Sequence, residues 1–201
     1  TPIDKEMSIP VENYLRSKGL SLHLSTAAAA ISQKNSALLV ELKNGKMLDA
    51  DLVIMSAGVR PANQLAKDAG IELGERGGIK VNAHMQTNFP DIYAAGDVVE
   101  TPHTVLPGNF LAPLAGPANR QGRVAGENIC GRDTVYESTQ GTSIVKVFDM
   151  VAGGTGATEK QLIQNKVSYR KIHVHPSGHA GYYPGTSTMH IKLLFDDNGK
   201  I

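Results

Sequence analysis

Residues 87–97 read T-N-F-P-D-I-Y-A-A-G-D, and this run constrains the fold more than any other. A short apolar segment, residues 92–95, has the length and composition of a buried strand, and Gly96 follows it. Glycine lets the backbone approach a ligand closely and takes conformations closed to other residues. Asp97 then places a carboxylate just past the expected strand end. In doubly wound α/β sheets ligands sit in the crevice outside those strand ends, where a carboxylate is a natural acceptor for sugar or polyol hydroxyls. A Gly-Asp pair also closes many ordinary strands in a turn, so both readings stand at this point.

A second run favours the first reading. Residues 52–63, L-V-I-M-S-A-G-V-R-P-A-N, form a continuous apolar stretch predicted as a strand, ending at Ala57-Gly58 and Arg60-Pro61. A third, residues 114–131, reads L-A-G-P-A-N-R-Q-G-R-V-A-G-E-N-I-C-G. Pro117 suits a first helical turn and Gly131 a left-handed stop. In order and spacing the three resemble motifs of the FAD-dependent pyridine nucleotide-disulfide oxidoreductases, in particular the coenzyme A disulfide reductase, NADH oxidase and NADH peroxidase branch. The resemblance implies that Gly96 and Asp97 contact the flavin ribityl chain. It puts backbone groups of Leu114, Ala115 and Gly116 against the isoalloxazine ring, and Gly58 beside NADH or NADPH. A helix start there favours negative charge as the ring is reduced.

That family holds each dinucleotide pyrophosphate on a G-x-G-x-x-G turn, and neither copy occurs in this sequence. The glycine-dense stretches 74–78 and 153–156 lack the spacing. The single cysteine, Cys130, falls near a predicted helix end and reads as a small packed residue. The expectation is therefore a C-terminal fragment of a longer flavoenzyme, inactive alone. With 201 residues, 41% of them hydrophobic, the chain can fill one or two modest cores. A formal net charge of +1 without a basic run gives nucleic acid no support as a partner. No apolar stretch suggests a membrane span, and the lone cysteine suits the cytoplasm.

The expected fold class is α/β, mixed with α+β. Residues 1–78 are read as the C-terminal part of an NAD(P)H-binding domain, 79–138 as that of an FAD-binding domain, both Rossmann-like, and 139–201 as the start of an α+β dimerisation domain. Predicted helices cover 11–18, 63–69, a stretch from Gly116 to Gly131, and 158–164 behind a Thr158 cap. Predicted strands cover 20–25, 37–42, 47–55, 79–81, 92–95, 142–148, 167–174 and 189–195, with a hairpin turn at Asn44-Gly45 and a loop over 101–113.

Residues 179–185, H-A-G-Y-Y-P-G, resemble the reductase segment in which a tyrosine hydroxyl reaches the partner subunit's redox cysteine, so Tyr182 and Tyr183 are the candidate catalytic residues. A phenol can protonate a leaving thiol. Unaided by the resemblance, the segment is an ordinary turn with packed aromatics. His173 and His175 share strand spacing, with His179 and His190 nearby. No cysteine or carboxylate cluster accompanies them, and they read as solvent-facing, with no metal expected. The reading is a homodimeric flavoprotein that moves electrons from NADH or NADPH through FAD to a small-molecule disulfide, persulfide, peroxide or oxygen. The alternative is a non-catalytic association module with the same architecture.

Overall fold

The computed structural model describes residues 3–35 and 37–201. They form two compact units: Glu12–Val59, and Arg60–Ile201 together with the residues up to Val11. The chain passes between them within α1 (Lys5–Ser17) and again between Val59 and Arg60.

Helix α1 starts well before the predicted residue 11, because the Asp4 carbonyl accepts the N–H groups of Met7 and Ser8 at 3.0 Å each. Pro10 lies inside it. Its missing N–H removes one rung, at Glu6, and the remaining rungs carry the helix through. The end is as expected: Gly19 sits at φ +87°, and the Leu20 N–H returns to the Leu15 carbonyl at 3.2 Å.

The Glu12–Val59 unit is a three-stranded antiparallel sheet in the order β1 (Ala28–Lys34), β2 (Ala37–Leu42), β3 (Met47–Ala50). Strand β2 and the Asn44-Gly45 turn match expectation, with Gly45 at φ +83° and the Lys46 N–H bonded to the Asn44 side-chain carbonyl at 3.1 Å. The strand predicted at 20–25 is irregular, and β1 forms instead from an alanine-rich run. Cross-strand pairing, with Ile31 opposite Val40, overrides alanine's poor strand propensity. Strand β3 stops at Ala50, short of the predicted residue 55. Beyond it Leu52, Ile54 and Met55 are 75%, 81% and 70% exposed. A run apolar on both faces suits a strand with neighbours on both sides, and among the described residues no strand pairs with it.

In the larger unit, α2 (Gln64–Asp68) precedes a sheet ordered β4 (Ile79–Lys80), β5 (Val99–Pro102), β6 (Asn109–Leu111). Strand β4 is parallel to β5, and β6 is antiparallel to it, so the predicted 101–113 loop is largely a hairpin. Helix α3 (Ala115–Ile129) packs Val124 and Ala125 into a core with Ile79, Met85, Val99 and Tyr136. The strand predicted at 92–95 is reduced to a single bridge, Tyr93 to Gln86. The ladder forms after Asp97 instead, because Val99 and Glu100 find Ile79 and Lys80 as partners.

Then follow the hairpin β7 (Ser143–Val147) and β8 (Met150–Gly154), α4 (Glu159–Gln164), and the antiparallel pair β9 (Arg170–Val174) and β10 (Ile191–Phe195). Strand β8 was not predicted. The Thr158 cap is present as a full capping box with Gln161. Lys192, with 4% of its side chain exposed, donates to Asp4 at 2.8 Å, to Glu6 at 2.5 Å and to Glu159. Asp4 also accepts the Glu159 N–H at 3.1 Å, capping α4 from across the sequence.

Candidate functional site

The 87–97 run builds a turn from its own side chains. Thr87 accepts the Phe89 N–H on its hydroxyl at 3.1 Å and donates its own N–H to the Ile92 carbonyl at 2.9 Å, closing the loop through Pro90. Gln86 reinforces it through the Pro90 carbonyl at 2.8 Å. The chain then reaches Gly96 at φ +88°, a left-handed conformation that a side chain would strain. Asp97 is exposed, and its carboxylate has no hydrogen bond or ion pair among the described residues.

What holds this turn in place was not foreseen. Gln121 of α3, 1% exposed, accepts the Gly96 N–H on Oε1 at 2.8 Å. A Cβ built on Gly96 would meet Ala118 of the same helix at 3.8 Å. The sequence signal was present: Gln121 falls on the stripe of Pro117, Val124 and Ala125, a polar residue at core positions of a helix.

Helix α3 begins as its sequence suggests. Leu114 is the N-cap, with extended backbone and no capping side chain, and Pro117 has no N–H to lose in the first turn. The N–H groups of Ala115 and Gly116 have no partner among the described residues. They open onto a cavity of about 890 Å³ that Arg120 and residues 135–144 also line. Gln121 and Ala118 thus fasten Gly96 to α3, while the free N-terminal end of the helix faces this cavity, which neither Gly96 nor Asp97 lines. Beside the cavity, burial holds His103 below the ordinary imidazole range. His103 Nδ1 accepts the N–H groups of Val105 and Leu106 at 3.0 and 3.2 Å, so the neutral ring carries its proton on Nε2.

The glycine-dense stretch 74–78 turns out to cradle a carboxylate of the chain itself. Glu100, 2% exposed, accepts the N–H groups of Arg76 and Gly78 at 2.8 and 2.9 Å. A Cβ on Gly74 would stand 2.2 Å from the other Glu100 oxygen.

The remaining candidates lie elsewhere. Gly58 is in the smaller unit at φ +94°, with nothing within 4 Å of a built Cβ. Tyr182 and Tyr183 are 90% and 67% exposed, so the expectation of packed aromatics fails. Tyr183 donates its N–H to the Ala180 carbonyl at 3.0 Å and sets its ring edge-on to the His179 ring at 5.7 Å. Cys130 is also a correction: it is the exposed C-cap of α3, because it lies on the side of the helix opposite the buried stripe of Pro117, Gln121, Val124 and Ala125.

The chain resembles known proteins in both sequence and structure. The sequence pattern of the pyridine nucleotide-disulphide oxidoreductases matches residues 1–115, more than half of the chain. The chain belongs to this oxidoreductase family. It is 36% identical over 199 residues to the NADH oxidase of Methanocaldococcus jannaschii, covering 99% of this chain and 44% of that protein. It is also 36% identical over 194 residues to the CoA-dependent NAD(P)H sulfur oxidoreductase of Pyrococcus furiosus, covering 96% and 43%. The NAD-dependent persulfide reductase of A. fulgidus superimposes with a TM-score of 0.93 at 36% identity, over 97% of this chain and 36% of that one. The fold is the expected mixed α/β class, with parts like the Rossmann-like domains of this family. The chain spans under half the length of these relatives. Among the described residues no helix is long and apolar enough to cross a membrane.

Proposed function

We propose that these residues belong to a flavoprotein that passes electrons from NADH or NADPH through FAD to a disulfide, persulfide, peroxide or oxygen. The observation that carries this reading is the Gly96-Asp97 turn, fastened to α3 by Gln121 with an unpartnered carboxylate at its tip, beside a helix whose first N–H groups are free. This donor and acceptor set fits a flavin: Asp97 is an acceptor for a polyol hydroxyl, and the Ala115 and Gly116 N–H groups favour negative charge. Bound FAD would supply two-electron chemistry between a hydride donor and a thiol-based or oxygen acceptor.

The chain's own residues orient and stabilise. Gly96 brings the backbone close, Gln121 fixes the turn, and the α3 start supplies a preorganised positive end. Gly58 is proposed to lie beside the nicotinamide nucleotide. Tyr182 or Tyr183, with hydroxyls on an exposed loop, would give a proton to a leaving thiol on the partner of a homodimer. Residues 1–78, 79–138 and 139–201 are proposed as parts of the nicotinamide, flavin and dimerisation domains, in a cytoplasmic enzyme.

The test is Asp97→Ala in the full-length polypeptide. Loss of a charge-assisted acceptor is worth about 1.5–3 kcal/mol, so FAD affinity should fall roughly 10- to 100-fold. Flavin content after dialysis and the FAD dissociation constant report it. Unchanged values would refute the flavin reading and favour an association module.

A further inference from the structure

Strands β9 and β10 pair with Ile191 opposite Val174 and Lys192 opposite His173. Just beyond the ladder the Met189 N–H donates to the Pro176 carbonyl at 2.8 Å. His175 and His190 are therefore held across from each other between two backbone-paired positions, where facing Cβ atoms lie about 5 Å apart. Their Nδ1 atoms share a hydrogen bond at 2.9 Å, one ring donating and the other accepting, with ring centroids at 4.9 Å and planes at 67°; a cation would take the place of the shared proton. Both side chains are exposed. The sequence spacing paired His173 with His175; the register pairs His175 with His190 instead.

Two imidazole nitrogens at this separation match adjacent positions on one metal ion. With metal–nitrogen bonds of about 2.0–2.1 Å, cis ligands stand roughly 2.9 Å apart at a right angle and roughly 3.4 Å apart in a tetrahedron. The strand ladder sets the spacing, so little side-chain order has to be gained on binding. We infer that His175 and His190 form a two-imidazole site for a borderline-soft divalent cation of the Zn²⁺, Ni²⁺ or Cu²⁺ type, with water completing the coordination. Imidazole selects these over Mg²⁺ and Ca²⁺, which take oxygen ligands.

The rival cation site is already filled. Asp4, Glu6 and Glu159 have chelating separations, but the Lys192 ammonium sits among them. His173, on the same strand face, is turned to Glu6 at 3.6 Å. A metal on the histidine pair would close the neck of the loop carrying Tyr182 and Tyr183, which otherwise rests on the Ser177–Thr188 bridge and the Gly178 N–H bond to the Ser187 carbonyl at 2.8 Å. The inference does not depend on the flavin reading.

The test uses the untagged 201-residue chain, titrated calorimetrically with ZnCl₂ and with MgCl₂, and its Cu²⁺ form studied by electron paramagnetic resonance. One equivalent of Zn²⁺ should bind and Mg²⁺ should not. His175→Gln and His190→Gln should each weaken Zn²⁺ binding at least tenfold, while His23→Gln, in the smaller unit, leaves it unchanged. The Cu²⁺ spectrum should carry splitting from two nitrogens in the parent chain and from one in each single variant. Circular dichroism confirms that these surface variants fold. No Zn²⁺ binding, binding that survives either substitution, or binding lost with His23 would overturn the site.

Discussion

Lys192→Met is the most informative perturbation of the fold. Methionine keeps the length and apolar stem of lysine, so packing changes little while the ammonium disappears from among Asp4, Glu6 and Glu159. Removing one partner of a buried ion pair costs about 3–5 kcal/mol, because the other charges stay behind. Two features lower that figure here: Glu159 keeps Lys171 at 2.7 Å and the Tyr169 hydroxyl at 2.5 Å, and Glu6 is 41% exposed. A loss of about 2–3 kcal/mol at pH 7 follows, a large part of a typical margin of ~5–15 kcal/mol. The pH dependence is diagnostic. Glu159 is held at about 2, against an ordinary 4.5, by its bonds to Lys171, Lys192 and Tyr169. Asp4, which burial alone would push up, is also lowered, through Lys192 and the α4 N–H groups. Glu6 is lowered chiefly by Lys192. Carboxylates depressed in the folded state stabilise fully above their unfolded values, and that stability drains away as pH falls from about 4.5 toward about 2. In the methionine variant three carboxylates face one another without the cation, so their folded values rise and acid relieves repulsion. The stability gap between parent and variant should therefore narrow from pH 7 to pH 4. Urea denaturation followed by circular dichroism measures the gap, and hydrogen exchange at the Glu159 and Lys160 amides, which bond to Asp4, reads the cluster locally. A loss below about 1 kcal/mol at pH 7, or a gap that does not narrow in acid, would refute the reasoning.

Gly74→Ala sets a methyl carbon 2.2 Å from the buried Glu100 carboxylate and should cost about 2–3 kcal/mol, lowering Tm. Gly122→Ala, inside α3 with nothing within 4 Å, should instead stabilise by about 0.5–1 kcal/mol; equal melting of the two variants would mean that the Glu100 cradle is wrong. On the proposed function, Tyr182→Phe or Tyr183→Phe in the full-length polypeptide should slow thiol or disulfide turnover and spare flavin reduction by NADH. Stopped-flow separates the two half-reactions, and slowing of both alike would make the tyrosines structural.

The parts of the fold legible in the sequence are those that a few neighbouring residues decide. Asn44-Gly45 turns because Gly45 takes a positive φ and Asn44 bonds the Lys46 N–H; Thr158 and Gln161 cap α4 reciprocally; Gly131 stops α3. What stayed hidden depends on partners far along the chain. Strand β1 owes its conformation to β2 rather than to its alanines, the 52–55 run reads as a strand yet pairs with none among the described residues, and Asp4 caps a helix 155 residues away. The site divides in the same way. Asp97 and Glu100 are carboxylates on one short segment; the Gly-Asp pair marks Asp97 locally, but nothing local shows that Glu100 is consumed inside the fold. Glu100 is consumed by two backbone N–H groups of a glycine loop 22 and 24 residues upstream, whose absent Cβ atoms make room for it. Asp97 meets no such loop and keeps its lone pairs. Its availability as an acceptor is therefore fixed by where the glycines at 74 and 78 lie and by Gln121 holding Gly96. Gln121→Leu should accordingly weaken FAD binding in the full-length polypeptide while the Asp97 carboxylate stays in place, and an unchanged FAD dissociation constant would refute this role of Gln121.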